Sequence, residues 1–165
     1  MIIKNALIYT ENHRFEKKDV RIRNERITEI ADNGQFTDPD ENVIDGEGLY
    51  AIPGLVDIHF HGAVGHDFCQ ASKEELLKIA EYEAANGVLA ICPATMSYNE
   101  EILGKVMDKA ADYNEESGAD LVGINMEGPF IDLKKAGAQN PEYIMPADKE
   151  MFLSLQERIG GLIKL

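Results

Sequence analysis

The chain has no tryptophan, only two cysteines, and sixteen lysines and arginines against thirty aspartates and glutamates. Each shortage closes off a class of protein. Cys69 and Cys92 stand in neither a Cys-x-x-Cys nor a zinc-finger spacing, so no disulfide framework is expected and both read as reduced thiols in the core. A formal charge of −14 argues against a nucleic-acid partner and against an anionic membrane surface. No run of about 18 apolar residues occurs, and Met1-Ile2-Ile3-Lys4-Asn5 does not open as a basic segment followed by an apolar one. Export and membrane spanning are therefore not expected, and a cytoplasmic protein is. Also missing are a glycine-rich phosphate loop, a Gly-x-Ser-x-Gly elbow and a nucleophilic cysteine context.

What is present suits a packed core: 165 residues, of which 44% are hydrophobic. Two grammars divide the chain. Residues 1–52 read as β structure, with an apolar run from Ile2 to Thr10 and a hairpin over Asp19–Ile30 that turns at Asn24-Glu25. Ala31–Gly48 is rich in Asp, Asn, Gly and Pro and reads as a connection, followed by a short strand over Leu49–Ile52. From Pro53 onward, apolar runs alternate with amphipathic periods. Leu55–His61, Val88–Ala94 and Ala119–Met126 read as strands, and Leu162–Leu165 opens a fourth. Ser72-Lys73-Glu74-Glu75 is a capping box ahead of Leu76, Ile79, Ala80 and Ala84 on one helical face. Asn99 starts a helix carrying Leu103, Val106, Met107 and Ala110, and a third helix carries Phe152, Leu155 and Ile159.

Apolar strands alternating with amphipathic helices give an α/β fold with a parallel sheet, for which a barrel is the natural closure. A closed (β/α)8 barrel uses eight such units and about 250 residues. Residues 53–165 supply three and the opening of a fourth, so the chain is expected to be an incomplete portion. Alone, it should expose sheet edges and tend to aggregate.

Candidate chemistry gathers at two strand ends. His59 and His61 stand two apart, so on a strand both imidazoles leave the same face, and Gly62 lets a ligand approach closely. Two histidines satisfied by hydrogen bonds are the plain alternative. Glu127 ends another strand, where a carboxylate among apolar residues is costly unless a cation compensates it. Together the three read as ligands of a divalent metal, at the carboxyl ends of parallel strands where α/β active sites lie. Asp57 shares the parity of the histidines and reads as an acceptor that orients a ligand, or as a buried polar contact beneath the site. His66 and Asp67 read as loop structure and His13 as a solvent-facing hairpin tip. Gly137-Ala138-Gln139 offers small residues and backbone N–H groups that could hold a substrate oxygen, with an ordinary turn as the alternative.

Two blocks carry a resemblance. Pro53-Gly54-Leu55-Val56-Asp57-Ile58-His59-Phe60-His61-Gly62 resembles the strand-one signature of the amidohydrolase superfamily. Asn125-Met126-Glu127-Gly128-Pro129-Phe130, followed by Lys134-Lys135-Ala136-Gly137-Ala138-Gln139-Asn140-Pro141, is similar within it to one family, the N-acetylglucosamine-6-phosphate deacetylases. The resemblance covers essentially the whole chain and about the first half of a family member. It implies a metal-dependent TIM barrel preceded by part of a small β-sandwich domain, a homodimeric complete protein, and a small amino-sugar phosphate as substrate. It implies one or two divalent ions, zinc or iron, on Glu127, His59 and His61. It also implies substrate contacts from the backbone of Ala138 and from position 139, where Gln139 stands in place of a frequent histidine. The family's catalytic aspartate and further metal histidines lie beyond Leu165, so no catalytic residue is expected within this chain and the chain alone should be inactive. Cyclic-amide hydrolases and nucleobase deaminases of the same superfamily use a strand-four lysine or histidines instead, and Glu127-Gly128-Pro129 favours the deacetylases over them.

Overall fold

In the computed structural model, which describes residues 1–37, 41–114 and 117–165, the chain divides into two compact units, Met1–Pro53 and Gly54–Leu165. The first is a five-stranded sheet. Strands β1 (Ile2–Tyr9), β2 (Phe15–Arg23) and β3 (Arg26–Asp32) form an antiparallel meander, while β4 (Val43–Asp45) and β5 (Tyr50–Ala51) both run parallel to β1. The β2–β3 turn falls at Asn24 and Glu25, whose φ angles of 49° and 60° are the left-handed pair that a two-residue hairpin requires. Ala6, Ile8 and Val20 form the small core of this unit, with Ile3, Ile22 and Ala51 against them.

The expected connection over Ala31–Gly48 contains a strand that composition did not reveal. Val43-Ile44-Asp45 pairs with Ile2-Ile3-Lys4, and three residues are too few to show a period. Residues 38–40 of that stretch lie outside the described residues.

One carboxylate organises the unit. Asp19 is fully buried and accepts from the N–H groups of Asn5 and Gly34 at 3.0 and 2.8 Å. Asn5 presents its N–H because β1 bulges there, with φ at 63° and a register shift between Ile3 and Ala6. Nearby, Glu41 binds Arg21 and Arg23 at 2.9 and 2.8 Å, and the Arg21 guanidinium lies 4.1 Å from the ring centre of buried Phe36.

The second unit alternates strand and helix. Strand β6 (Leu55–Asp57) is followed by the two-residue strands β7 (Gly62–Ala63) and β8 (His66–Asp67), then by helix α1 (Lys73–Ala85). Strand β9 (Val88–Ile91), helix α2 (Glu100–Ala111), strand β10 (Asp120–Leu121) and helix α3 (Lys149–Arg158) complete the order. Strands β6, β9 and β10 are parallel neighbours, and Ile163 bridges in parallel to Ile124. The helices begin where side chains can accept the first free N–H groups. Ser72 and Glu75 form the capping box, Asn99 accepts from Ile102, and Asp148 accepts from Glu150 and Met151. Their apolar faces meet in one core built around Phe68, Leu76, Leu103, Met107, Ile124 and Leu155.

The regular strands are shorter than the apolar runs that announce them. Strand β6 ends at Asp57 rather than at His61, and Leu55, Val56, Leu89 and Val122 are exposed, so the described residues leave this sheet partly uncovered. No helix among them is long and apolar enough to cross a membrane.

Candidate metal centre

Strand β6 stops because its last side chain turns back on the chain. Asp57 Oδ1 accepts the backbone N–H of His59 at 2.9 Å, a local turn that replaces ladder pairing. Backbone bonds from Cys92 to the Asp57 carbonyl and from Ala94 to the Phe60 carbonyl, both at 2.7 Å, still hold the histidine segment beside the end of β9. Across that segment, Asn125 N–H donates to the Pro93 carbonyl at 3.0 Å and its own carbonyl accepts from Thr95 at 2.9 Å. Three consecutive strand ends are thereby tied together, and Glu127 emerges next to the histidines.

Behind Glu127 the chain needs glycine. Gly128 has φ of 88°, and a Cβ there would collide with Ser97 Oγ. The Gly128–Pro129 peptide bond is cis.

Glu127 Oε2 lies 3.1 Å from His61 Nε2 and 3.5 Å from His59 Nε2. The two rings meet edge to face with centroids 5.3 Å apart, and the three ligand atoms all fall within 4.8 Å of one another. Glu127 Oε2 is buried with no hydrogen bond satisfied, although two nitrogens face it. Such crowding without bonding suits a cation. With metal–nitrogen and metal–oxygen distances of about 2.0–2.2 Å, neighbouring donors of a tetrahedral site stand roughly 3.3–3.5 Å apart. The residues present therefore fit a divalent ion held by His59, His61 and Glu127.

Beside His61, an open cleft of about 370 Å³ is lined by the segment from His61 to Asp67. Its wall is the β7–β8 hairpin, in which a Cβ at Gly62 would strike the His66 carbonyl oxygen. His66 Nδ1 lies 3.2 Å from Glu75 Oε1, while the other oxygen of that carboxylate accepts the Ser72 N–H at 2.7 Å. The two thiols are free. Burial pushes the Cys69 thiol up to about 11, which leaves it unreactive at neutral pH.

The other expected residues take different positions. Asp57 accepts from the His59 backbone rather than from an imidazole. Ala138 is exposed on its loop. Gln139 is buried, and its Oε1 accepts the Ser97 N–H at 2.6 Å, so that oxygen is engaged within the protein. His13 is exposed at the β1–β2 turn. One neighbour of the site was not singled out from the sequence: Asn125, whose Nδ2 lies 3.1 Å from His59 Nδ1. Its parity with Glu127, two positions earlier on the same segment, was the available signal.

No family model matches the chain. Among curated proteins, the N-acetylglucosamine-6-phosphate deacetylase of Bacillus subtilis is 31% identical over 170 aligned residues, covering 100% of this chain and 43% of that protein. Among solved structures, the deacetylase of the same name from Thermotoga maritima is 29% identical with a TM-score of 0.74, covering 94% of this chain and 39% of its own. The one from Pasteurella multocida, 22% identical, shares the fold with a TM-score of 0.86 over 98% of this chain and 42% of its own. The chain thus spans about two-fifths of the length of the relatives it matches. By sequence and by fold, this α/β chain is similar to the N-terminal two-fifths of proteins named N-acetylglucosamine-6-phosphate deacetylase.

Proposed function

We propose that this chain is the N-terminal portion of a metal-dependent deacetylase that converts N-acetylglucosamine 6-phosphate and water into glucosamine 6-phosphate and acetate. The observation that carries the reading is the convergence of His59, His61 and Glu127 at parallel strand ends beside an open cleft. The names of the relatives supply the substrate. In this reading residues 53–165 form the first βα units of a (β/α)8 TIM barrel, and residues 1–52 form part of a small β-sandwich. The exposure of the apolar side chains Val56, Leu89 and Val122 supports it, since a parallel sheet is ordinarily covered on both sides.

His59, His61 and Glu127 would hold one or two divalent ions, zinc or iron. When bound, such an ion supplies Lewis acidity to an amide carbonyl and lowers the pKa of water toward neutrality. Glu127 contributes the negative charge that retains the cation, and the imidazoles contribute neutral donors suited to first-row metals. The wall from Gly62 to Asp67 excludes water on one side of the cleft and gives the sugar a surface to rest on. In this reading the backbone of Ala138 and the side-chain amide of Gln139 would contact the substrate. Proton transfer to the departing amine requires a further carboxylate, which we assign to an aspartate beyond Leu165. The complete protein acts as a homodimer in the cytoplasm, where the thiols of Cys69 and Cys92 stay reduced.

The test is acetate release from N-acetylglucosamine 6-phosphate by the complete enzyme, before and after removal of metal with a chelator. Activity should vanish on chelation and return with zinc or iron. Undiminished turnover by the metal-free enzyme would overturn the reading.

A further inference from the structure

The surroundings of His59 reverse the usual setting of a ligating histidine. A metal-bound imidazole ordinarily gives its second N–H to an acceptor such as a carboxylate, a carbonyl or water. The atom facing His59 Nδ1, at 3.1 Å, is instead the amide nitrogen Nδ2 of Asn125. The same nitrogen donates to the Ile58 carbonyl oxygen at 3.1 Å. That second bond fixes the amide orientation, because turning it over would set the Asn125 carbonyl oxygen against the carbonyl of Ile58. Asn125 therefore has only hydrogens to offer, and His59 Nδ1 accepts. A neutral imidazole that accepts at Nδ1 carries its hydrogen on Nε2, the atom turned toward Glu127. Asp57, through Oδ1, accepts the backbone N–H of His59 rather than a ring hydrogen.

Building on the metal centre proposed above, we infer that Asn125 is a positioning residue that makes His59 a conditional ligand. A divalent ion is held first by His61 and Glu127, and His59 joins only when the Asn125 amide turns away and the imidazole hydrogen passes from Nε2 to Nδ1. The Asn125 backbone is bonded on both sides, to Pro93 and Thr95, so the change is a side-chain rotation and not a shift of the strand end.

Substitution separates this role from mere support. Asn125→Asp keeps the shape, gives up the bond to the Ile58 carbonyl, and offers an acceptor oxygen to Nδ1, which frees Nε2 to ligate. Changes in groups that contact a ligating histidine alter metal affinity by about 10–100-fold, so zinc should bind about tenfold tighter or more in this variant. Asn125→Leu removes the donor without adding charge and should bind zinc at least as tightly as the parent. If Asn125 merely supported the site, Asn125→Leu would bind more weakly. The added charge is controlled by repeating Asn125→Asp in a His59→Asn background, where the gain should disappear.

A readout without metal completes the test. In the metal-free protein, the ¹⁵N shifts of neutral His59 should report hydrogen on Nε2 in the parent and on Nδ1 in Asn125→Asp. Hydrogen on Nδ1 in the parent, or a gain in zinc affinity that survives His59→Asn, would overturn the inference. Failure of the parent to bind zinc at all would remove the metal centre, while the hydrogen position would still decide the role of Asn125.

Discussion

Asp19 in the first unit and Glu127 in the second are carboxylates within folded structure, and they are treated in opposite ways. Asp19 is fully buried and receives backbone N–H groups from the β1 bulge at Asn5 and from the turn at Gly34, hydrogen bonds that compensate its burial and tie that turn to the sheet. Glu127 is partly exposed, and its inner oxygen faces two imidazoles without bonding to either. A satisfied carboxylate holds a fold together. An unsatisfied one, backed by a glycine that admits no side chain, is held ready for something else. The units differ likewise: the first depends on long ladders and a few polar anchors, the second on helices packed over strands of two to four residues.

The sharpest way to break this contrast is Glu127→Gln in the complete enzyme. The amide keeps the shape but loses the charge, so deacetylation should fall on the order of a thousandfold while the melting temperature stays within a degree or two of the parent. Near-normal turnover with normal metal content would make Glu127 a second Asp19. Leu155→Ala tests the other half, the reliance of the second unit on its helical core. Leu155 is fully buried, and its truncation should cost about 2–5 kcal/mol in denaturant unfolding. A loss below about 1 kcal/mol would show that the short strands carry more than the packing suggests. Asp19→Ala should cost less, about 1–3 kcal/mol, by leaving the N–H groups of Asn5 and Gly34 without their acceptor. It should not change how tightly zinc binds, and a weakened zinc isotherm would erase the distinction between the two carboxylates.

The helices were legible in the sequence because their starts are local chemistry. Ser72 and Asn99 cap within three residues of themselves, and the apolar period that follows does not depend on distant partners. Strands were legible as apolar runs but not in their ends, since Asp57 closes β6 by a side-chain bond that composition does not display. Val43–Asp45 was invisible for a related reason: its partner, β1, is forty-one positions away, and nothing local requires pairing. At the site, the residue types His59, His61 and Glu127 were readable from position and chemistry. The use of Gln139 to hold Ser97 was not, because it depends on two loops meeting across forty-two positions of sequence. Asn125 lay between these cases, readable by parity but unremarkable by type.

Glu75 gives helix α1 and the cleft a common fate. One of its oxygens closes the helix start at Ser72 and the other reaches His66, in the hairpin that walls the cleft beside His61. Fraying of the first helical turn, ordinarily an event without consequence for a binding site, would here release that wall. The amides around Ser72 and those of the Gly62–Asp67 hairpin should therefore exchange their hydrogens as one opening unit, and a ligand that orders the cleft should slow exchange at the helix start without touching it.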